Sequence, residues 1–311
     1  MKNGKSVIYQ GAIMPKVLVF GSLNIDYVYK LDHIVKDGET ISCSSMVKSA
    51  GGKGANQAAA IAKAGLDVYM AGKIGPDGMF LLDELKSYGV DTSFVSSDSS
   101  ATGNAIIQVD KNGDNCIIVY PGGNNEITDE FIDSTLSQFS SGDFIVLQNE
   151  INSIGRIIEI AHKKGLLICF NPSPFDMSIE KLPLNLVDFL VVNEIEGRCL
   201  ALMDENACYD AILDKLSFDF PDTEIILTVG KDGALYAKGG YRAKADIIEA
   251  PIVDTTAAGD TFIGYFLSSR QKGYSIEQSL VFSCKASSIA VSRPGAMKSI
   301  PFENEVFPFD S

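Results

Sequence analysis

Two carboxylates, Asp254 and Asp260, bracket two threonines, two alanines and a glycine in DTTAAGD. The stretch lies between an apolar run and TFIGYFLSSRQ, whose apolar spacing predicts an amphipathic helix. The first N–H groups of such a helix have no partner within it, and the positive end of its dipole stands behind them. That is an anion-binding arrangement. The N–H groups of Ala257, Ala258, Gly259 and Asp260 could cradle a phosphoryl group, with Gly259 allowing a close approach or a positive φ. Asp260, kept ionised by the dipole, could take a proton from an attacking hydroxyl. A weak base suffices, because phosphoryl transfer rests on positioning and charge stabilisation. A simple cap at Asp260 would explain the carboxylate but not the run of small residues before it.

Four further stretches carry candidate chemistry. In AGGKGANQ (Ala50–Gln57), three glycines around Lys53 let backbone approach a ligand, and Asn56 falls in the first turn of the next helix. The spacing is neither that of a P-loop nor GxGxxG, so a flexible loop before a helix and a ligand site both stand. In GSLNID, Asn24 and Asp26 alternate and would face one way in extended chain, where they could grip vicinal hydroxyls. Taken by itself, that fragment reads as an Asx-rich turn. VVNEIE puts Asn193 and Glu196 on one face of a starting helix, and an ordinary N-cap with an acidic first turn explains them equally. TVGKDG, from Thr228 to Gly233, reads as a strand and a glycine-rich hairpin turn.

The elements that must position these residues follow a rhythm. KVLVFG reads as a buried strand, GANQAAAIAKAG as a helix with a glycine stop, DVYMAGKIG as a strand and PDGMFLLDELKSYGV as a helix. Two β-branched runs around KNGD predict a hairpin. Beyond residue 125 strands and helices alternate: DFIVLQ, SIGRIIEIAHKKG, LLICFN, DFLVVN, EIEGRCLA and EIILTVG, then hairpin material in DGALYAKGG and two long helices. Alternation of this kind predicts an α/β fold with a parallel sheet covered on both faces and ligands at the carboxyl ends of its strands. The β-rich pieces at about 26–50 and 103–120 break the rhythm and read as a small separate sheet.

The chain has 311 residues, 46% of them hydrophobic, with 28 glycines and 11 prolines, which suits one large globular domain. A net charge of −14, from 26 basic and 40 acidic residues, repels nucleic acid and anionic membranes. It repels nucleotides too, so a nucleotide site must rest on local dipoles and a few lysines. The six cysteines are scattered without a CxxC pair and read as buried, reduced thiols of a cytoplasmic protein. His33 and His162 stand far apart, which argues against a His-based metal site. MKNGKSVIYQGAIMPK lacks the order of a signal peptide. Patterning begins at Pro15, so residues 1–14 read as an N-terminal extension and Met14 as an alternative start.

Together these residues resemble the ribokinase family of carbohydrate kinases, the PfkB superfamily. AGGKGANQAAAIAKAG and DTTAAGDTFIGYF resemble its two signatures, with further echoes in GSLNID, KIGPDGMF, TGNAIIQVDKNGDN, NPSP, NEIE, TVGKDGA and SRPGAMKSIP. The resemblance implies a three-layer, doubly wound, mostly parallel sheet over residues 15–311 with a β-sheet lid, a homodimer packed through the lids, and MgATP-dependent phosphorylation of the 5-hydroxyl of D-ribose. It implies that Asn24, Asp26, Gly52, Lys53, Asn56 and Glu150 hold the sugar and that Asp260 is the base. Asn193, Thr228, Gly230, Gly233 and Gly259 would line the nucleotide site, with Glu196 acting on Mg²⁺ through water. Asp254 would need a separate use beside an acidic base, and a bound monovalent cation, K⁺, would neutralise it. The resemblance supplies the other ligands: the carbonyls of Thr256, Ala290, Arg293 and Gly295 and the hydroxyl of Ser299. Two positions depart from the family pattern. Ala257 stands where the second signature often has Gly, at small expected cost, and Cys284 stands where Asn or His often flanks adenine. Fructokinase, deoxyribokinase, nucleoside kinase and a non-catalytic sugar sensor are the alternatives. A nicotinamide-dependent dehydrogenase also alternates strands and helices, but no GxGxxG follows the first strand of this chain.

Overall fold

A computed structural model describes residues 15–308. Residues 1–14, with Met14, and residues 309–311 lie outside the described chain. In chain order the strands are β1 (Val17–Phe20), β2 (Asn24–Lys30), β3 (Ser45–Gly51), β4 (Val68–Lys73), β5 (Asp91–Ser96), β6 (Gly103–Val109) and β7 (Asn115–Tyr120). They continue with β8 (Phe144–Gln148), β9 (Leu167–Asn171), β10 (Phe189–Asn193), β11 (Glu224–Thr228), β12 (Ala234–Lys238) and β13 (Tyr241–Ala245). The helices are α1 (Lys53–Lys63), α2 (Met79–Ser87), α3 (Asp129–Leu136), α4 (Ile154–Lys164), α5 (Glu194–Leu200), α6 (Tyr209–Asp219), α7 (Ala258–Gln271), α8 (Ile276–Val291) and α9 (Glu303–Val306).

Nine strands form one sheet in the order β13-β12-β11-β10-β9-β8-β1-β4-β5. Strands β5 to β11 of that row pair in parallel, and β12 and β13 add an antiparallel edge. The residues of β1 are buried on both faces: Val17 and Val19 pack into one core, Leu18 and Phe20 into the other. This period of two divides the interior into two layers of helices around the sheet. Helices α1, α2, α7 and α8 cover one face, and α3, α4 and α6 the other. The three-layer, mostly parallel α/β architecture is as expected.

Four strands form a second sheet in the order β3-β2-β6-β7. Here the structure overturns the Asx-turn expectation for GSLNID. Asn24 and Asp26 lie in β2, paired on one side with Gly51 and Ser49 of β3 and on the other with Gly103 and Ala105 of β6. Pairing on both edges leaves that backbone no freedom to turn. Asn112-Gly113 closes the β6–β7 hairpin with Gly113 at φ 88. Strand β5 and helices α3, α6 and α9 are additional to the elements read from the sequence; β5 is a short edge strand, α3 and α9 are short helices, and α6 is a helix of mixed polarity.

All six cysteines are free, but only Cys169 and Cys284 are buried; Cys43, Cys116, Cys199 and Cys208 are exposed. Apolar neighbours in sequence mislead here because β7, which carries Cys116, is exposed along its whole length. No described helix is long and apolar enough to cross a membrane.

Candidate active site

The strand order reverses at β1, which lies between β4 and β8. The chain leaving such a switch point opens a crevice at the carboxyl ends of the strands. Ser22, just past β1, and Glu150, just past β8, meet there: the Ser22 hydroxyl donates to Glu150 Oε2. The same carboxylate oxygen accepts the Lys53 N–H at 3.0 Å, at the N-terminus of α1. Gly54 is needed for this approach, since a Cβ on it would stand 2.5 Å from the Ser22 nitrogen.

Helix α1 packs against α7 at two small residues. A Cβ on Gly264 would lie 2.4 Å from that of Ala60. One turn toward the N-terminus on each helix, the same faces carry Asn56 and Asp260. Asn56 Nδ2 donates to Asp260 Oδ2 at 3.0 Å, and its neighbour Gln57 donates through Nε2 to Asp260 Oδ1 at 2.9 Å. Asn56, Gln57 and Asp260 are all buried, and Asn56 Oδ1 has no partner among the described residues. An orphaned buried carbonyl of this kind is costly unless a ligand hydroxyl completes it.

On the small-sheet side, Asn124 Nδ2 donates to Asn24 Oδ1 at 2.7 Å and anchors that side chain. The carboxyl of Asp26 is pushed up to about 7, first by burial and then by the neighbouring Glu150 carboxylate. Lys53 supplies the local positive charge. Burial would lower its pKa, but Asp260, Glu150 and Glu196 together hold it above its ordinary value.

Helix α7 begins with Ala257 at φ 59, so the positive φ falls on an alanine, not on Gly259. The glycine-to-alanine departure therefore carries a backbone strain of about 1 kcal/mol, more than its retained N–H suggests. A Cβ on Gly259 would meet nothing within 4 Å, which leaves this turn open to a ligand. The four-donor cradle needs one correction. The Ala258 N–H turns back to Thr255 O at 3.3 Å, whereas those of Ala257, Gly259 and Asp260 meet no acceptor among the described residues.

These N–H groups open on a cavity of ≈ 1040 Å³. Asn193, Glu196, Thr228, Gly230, Gly233, Gly259 and Cys284 all line it, although they come from β10, α5, β11, the turn after it, α7 and α8. Lys53 and Asp260 line it as well. Of the other residues expected to hold sugar, Asn56 and Glu150 reach it through the Asn56–Asp260 and Glu150–Lys53 contacts, whereas Asn24, Asp26 and Gly52 do not line it. Asn193 and Glu196 form a reciprocal cap on α5: Asn193 Oδ1 accepts from Ile195 and Glu196 N–H, and Glu196 Oε2 accepts from Asn193 N–H. One oxygen of Glu196 remains for a ligand. Gly230 and Gly233, at φ 53 and 90, make the turn between β11 and β12. Cys284 is buried against Ala245 O, and burial, then Asp246, pushes its thiol up to about 12. It presents an uncharged thiol to the cavity wall.

Asp254 belongs to a separate cluster. Its Oδ1 accepts the Thr256 N–H at 2.9 Å and its Oδ2 the Gly295 N–H at 3.0 Å, which joins the two segments. Burial opposes ionisation, but these bonds hold the carboxyl below its ordinary pKa. Ala290 O accepts from Arg293 N–H, and Ser299 Oγ donates to Ala296 O.

Ser22, Gln57, Asn124 and Gln148 were not singled out in the sequence. Gln57 alone left a signal, as an amide set in a run of buried alanines.

A helix start with free N–H groups beside a carboxylate, at an α/β switch point with a nucleotide-sized cavity, has the parts that phosphoryl transfer requires. The chain matches the family described as pfkB family carbohydrate kinase over residues 14–303, and it belongs to that family. It is 35% identical to the ribokinase of Staphylococcus aureus (strain COL), over 94% of this chain and 98% of that protein. Among solved structures, ribokinase from Cryptococcus neoformans var. grubii serotype A in complex with ADP superposes with a TM-score of 0.82 at 34% identity, covering 94% of this chain and 98% of that one. Arabidopsis thaliana ribokinase complexed with ribose and ATP superposes with a TM-score of 0.84 at 29% identity and the same coverage.

Proposed function

We propose that this chain transfers the γ-phosphoryl group of MgATP to the 5-hydroxyl of D-ribose, giving D-ribose 5-phosphate and ADP. The observation that carries this reading is the position of Asp260. Its carboxylate adjoins the cavity on one side and Asn56 on the other, at the start of the helix whose free N–H groups open on that cavity. Asn24, Asp26, Asn56 and Glu150 would hold the sugar hydroxyls, with Gly52 giving room beside them. Asp260 would accept the proton of the attacking hydroxyl, and the N–H groups of Ala257, Gly259 and Asp260 would take up charge on the phosphoryl oxygens. Lys53 would offset the negative field of the protein along the phosphates. The panel that tests the reading is ADP release with ribose, 2-deoxyribose, fructose and adenosine. Ribose should give the highest kcat/KM; a higher value for any other acceptor reassigns the substrate.

Mg²⁺ fits the free oxygen of Glu196, which would reach the ion through water. It would neutralise charge between the β- and γ-phosphates. K⁺ fits the Asp254 cluster: one carboxylate joins two carbonyl-rich segments. With a single carboxylate among Thr256, Ala290, Arg293, Gly295 and Ser299, the site suits a charge of one. Titrating KCl at constant ionic strength into enzyme held in Tris should raise turnover, and Asp254→Ala should abolish that response. Full activity of the variant without K⁺ sinks the assignment.

The small sheet would act as a lid and as the contact between two copies of the chain. Ile117, Ile118, Val119 and Tyr120 of β7 and Met46 and Val47 of β3 are all at least half exposed, and an apolar sheet left in water invites a partner. The free thiols suit the reducing cytoplasm.

A further inference from the structure

The base must present one defined oxygen to the sugar, yet both oxygens of Asp260 accept amide hydrogens. The two donors differ in kind. Asn56 Nδ2 holds Oδ2, and Asn56 still has an unpaired carbonyl oxygen. Gln57 holds Oδ1, is 0% exposed, and is itself gripped from two directions.

The grip is directional. Val191 O can only accept, so Asn171 must turn Nδ2 toward it, at 2.9 Å, and Oδ1 toward Gln57. Gln57 Nε2 therefore faces both Asn171 Oδ1, at 3.5 Å, and the Asp260 carboxylate. Its Oε1 must then look the other way, where Gln148 Nε2 donates to it at 2.7 Å. Gln148 stands at the end of β8 and Asn171 at the end of β9. Two strands of the central sheet thus set the amide, and the assignment of its O and N follows from the acceptor-only groups on its Nε2 side, the Asp260 carboxylate and, through Asn171, Val191 O. Gly21 leaves space for this: a Cβ there would lie 2.0 Å from Gln148 Oε1.

We infer that Gln57 is a positioning residue for phosphoryl transfer, locked by Gln148 and Asn171 so that Asp260 Oδ1 is permanently occupied and Oδ2 is the oxygen that receives the sugar proton. Asn56 is the movable donor. It covers Oδ2 until a sugar hydroxyl displaces it, while Gln57, too deeply buried to meet sugar, keeps the carboxylate plane fixed. A carboxylate held through one oxygen cannot rotate its second oxygen away from the hydroxyl, and misplacement at that distance is what degrades catalysis.

The inference rests on Asp260 being the base, and the test separates the two. In Gln57→Met the side-chain volume stays and the donor goes. kcat should fall by about 10- to 100-fold, while KM for ribose and for ATP stay within about twofold. Gln57→Met strands the Gln148 amide, so the double variant Gln57→Met/Gln148→Met is measured beside it. Replacing both partners with apolar groups of similar shape removes the buried unpaired amide. The double variant should keep the kcat deficit and recover the melting temperature, and it carries the test alone if the single variant does not fold. Wild-type kcat in either variant overturns the inference, recovery in the double meaning that the deficit was only a stranded polar group. Asp260→Asn is the control: if it loses turnover while Gln57→Met keeps it, the positioning role fails and the base stands. If Asp260→Asn itself keeps turnover, the base assignment is what fails.

Discussion

Asp260→Asn lowers kcat by at least ~10²-fold, the low end for a positioned general base, with little change in the KM for ribose. Asparagine keeps the shape of the side chain and one acceptor oxygen, so the α1–α7 packing at Ala60 and Gly264 is undisturbed. Its NH₂ group, however, must face one of two donors. Gln57 is fixed by Gln148 and Asn171, so the new amide turns its oxygen to Gln57 and its NH₂ to Asn56. Asn56 can answer by turning its unpaired Oδ1 toward that NH₂. The variant should therefore fold with a near-native melting temperature and bind both substrates, yet lack any group able to take the proton. Steady-state kinetics with a thermal melt on the same sample checks this. Turnover near that of the unmodified protein would remove Asp260 from the mechanism.

Asp26→Ala raises the KM for ribose by about 5- to 150-fold, the equivalent of 1–3 kcal/mol for a hydrogen-bonding side chain lost from a buried site. The KM for ATP should hardly move, because Asp26 lies on the small sheet and does not line the cavity proposed for the nucleotide. A pH dependence follows from the same residue. Its pKa rises from 3.8 to about 7 in the folded protein, through burial and Glu150. The fold thus favours the protonated form, and the stability this contributes is complete below 3.8 and is lost as pH rises through about 7. Sugar hydroxyls that donate to Asp26 favour the carboxylate, so ribose binding should release a proton near neutrality. kcat/KM for ribose should rise with pH through a limb near 7, and Asp26→Asn should flatten that limb. A loss confined to ATP in Asp26→Ala, or an unchanged limb in Asp26→Asn, would place the sugar elsewhere.

Local pattern was enough for the parts of this protein whose cause is local. The buried run of β1, the alanine-rich α1 stopped at Gly65, the Asn-Gly hairpin and the strand–helix alternation after residue 125 are governed by near neighbours, and they read correctly as an α/β fold with a separate small sheet. The small-residue run before Asp260 likewise marked a helix start with free N–H groups, because capping is settled within one turn. Tertiary structure decided the rest. GSLNID became a strand because β3 and β6 pair with both its edges, and no feature inside the fragment encodes that. The positive φ fell on Ala257, and the Ala258 N–H was lost to Thr255, through the way the loop enters α7. Cys116 proved exposed because β7 is the outer strand of the small sheet, and Cys43, Cys199 and Cys208 because a loop, the α5 helix and the start of α6 present them to solvent. The hold on Asp260 was least legible of all. Gln57, Gln148 and Asn171 come from α1, β8 and β9, and they converge only because the sheet order places β8 beside β1 and β9 and because Gly264 lets α7 close onto α1. A side chain's type and neighbours fix its local conformation; its partners across the core are fixed by packing, which one chain's sequence states only in sum.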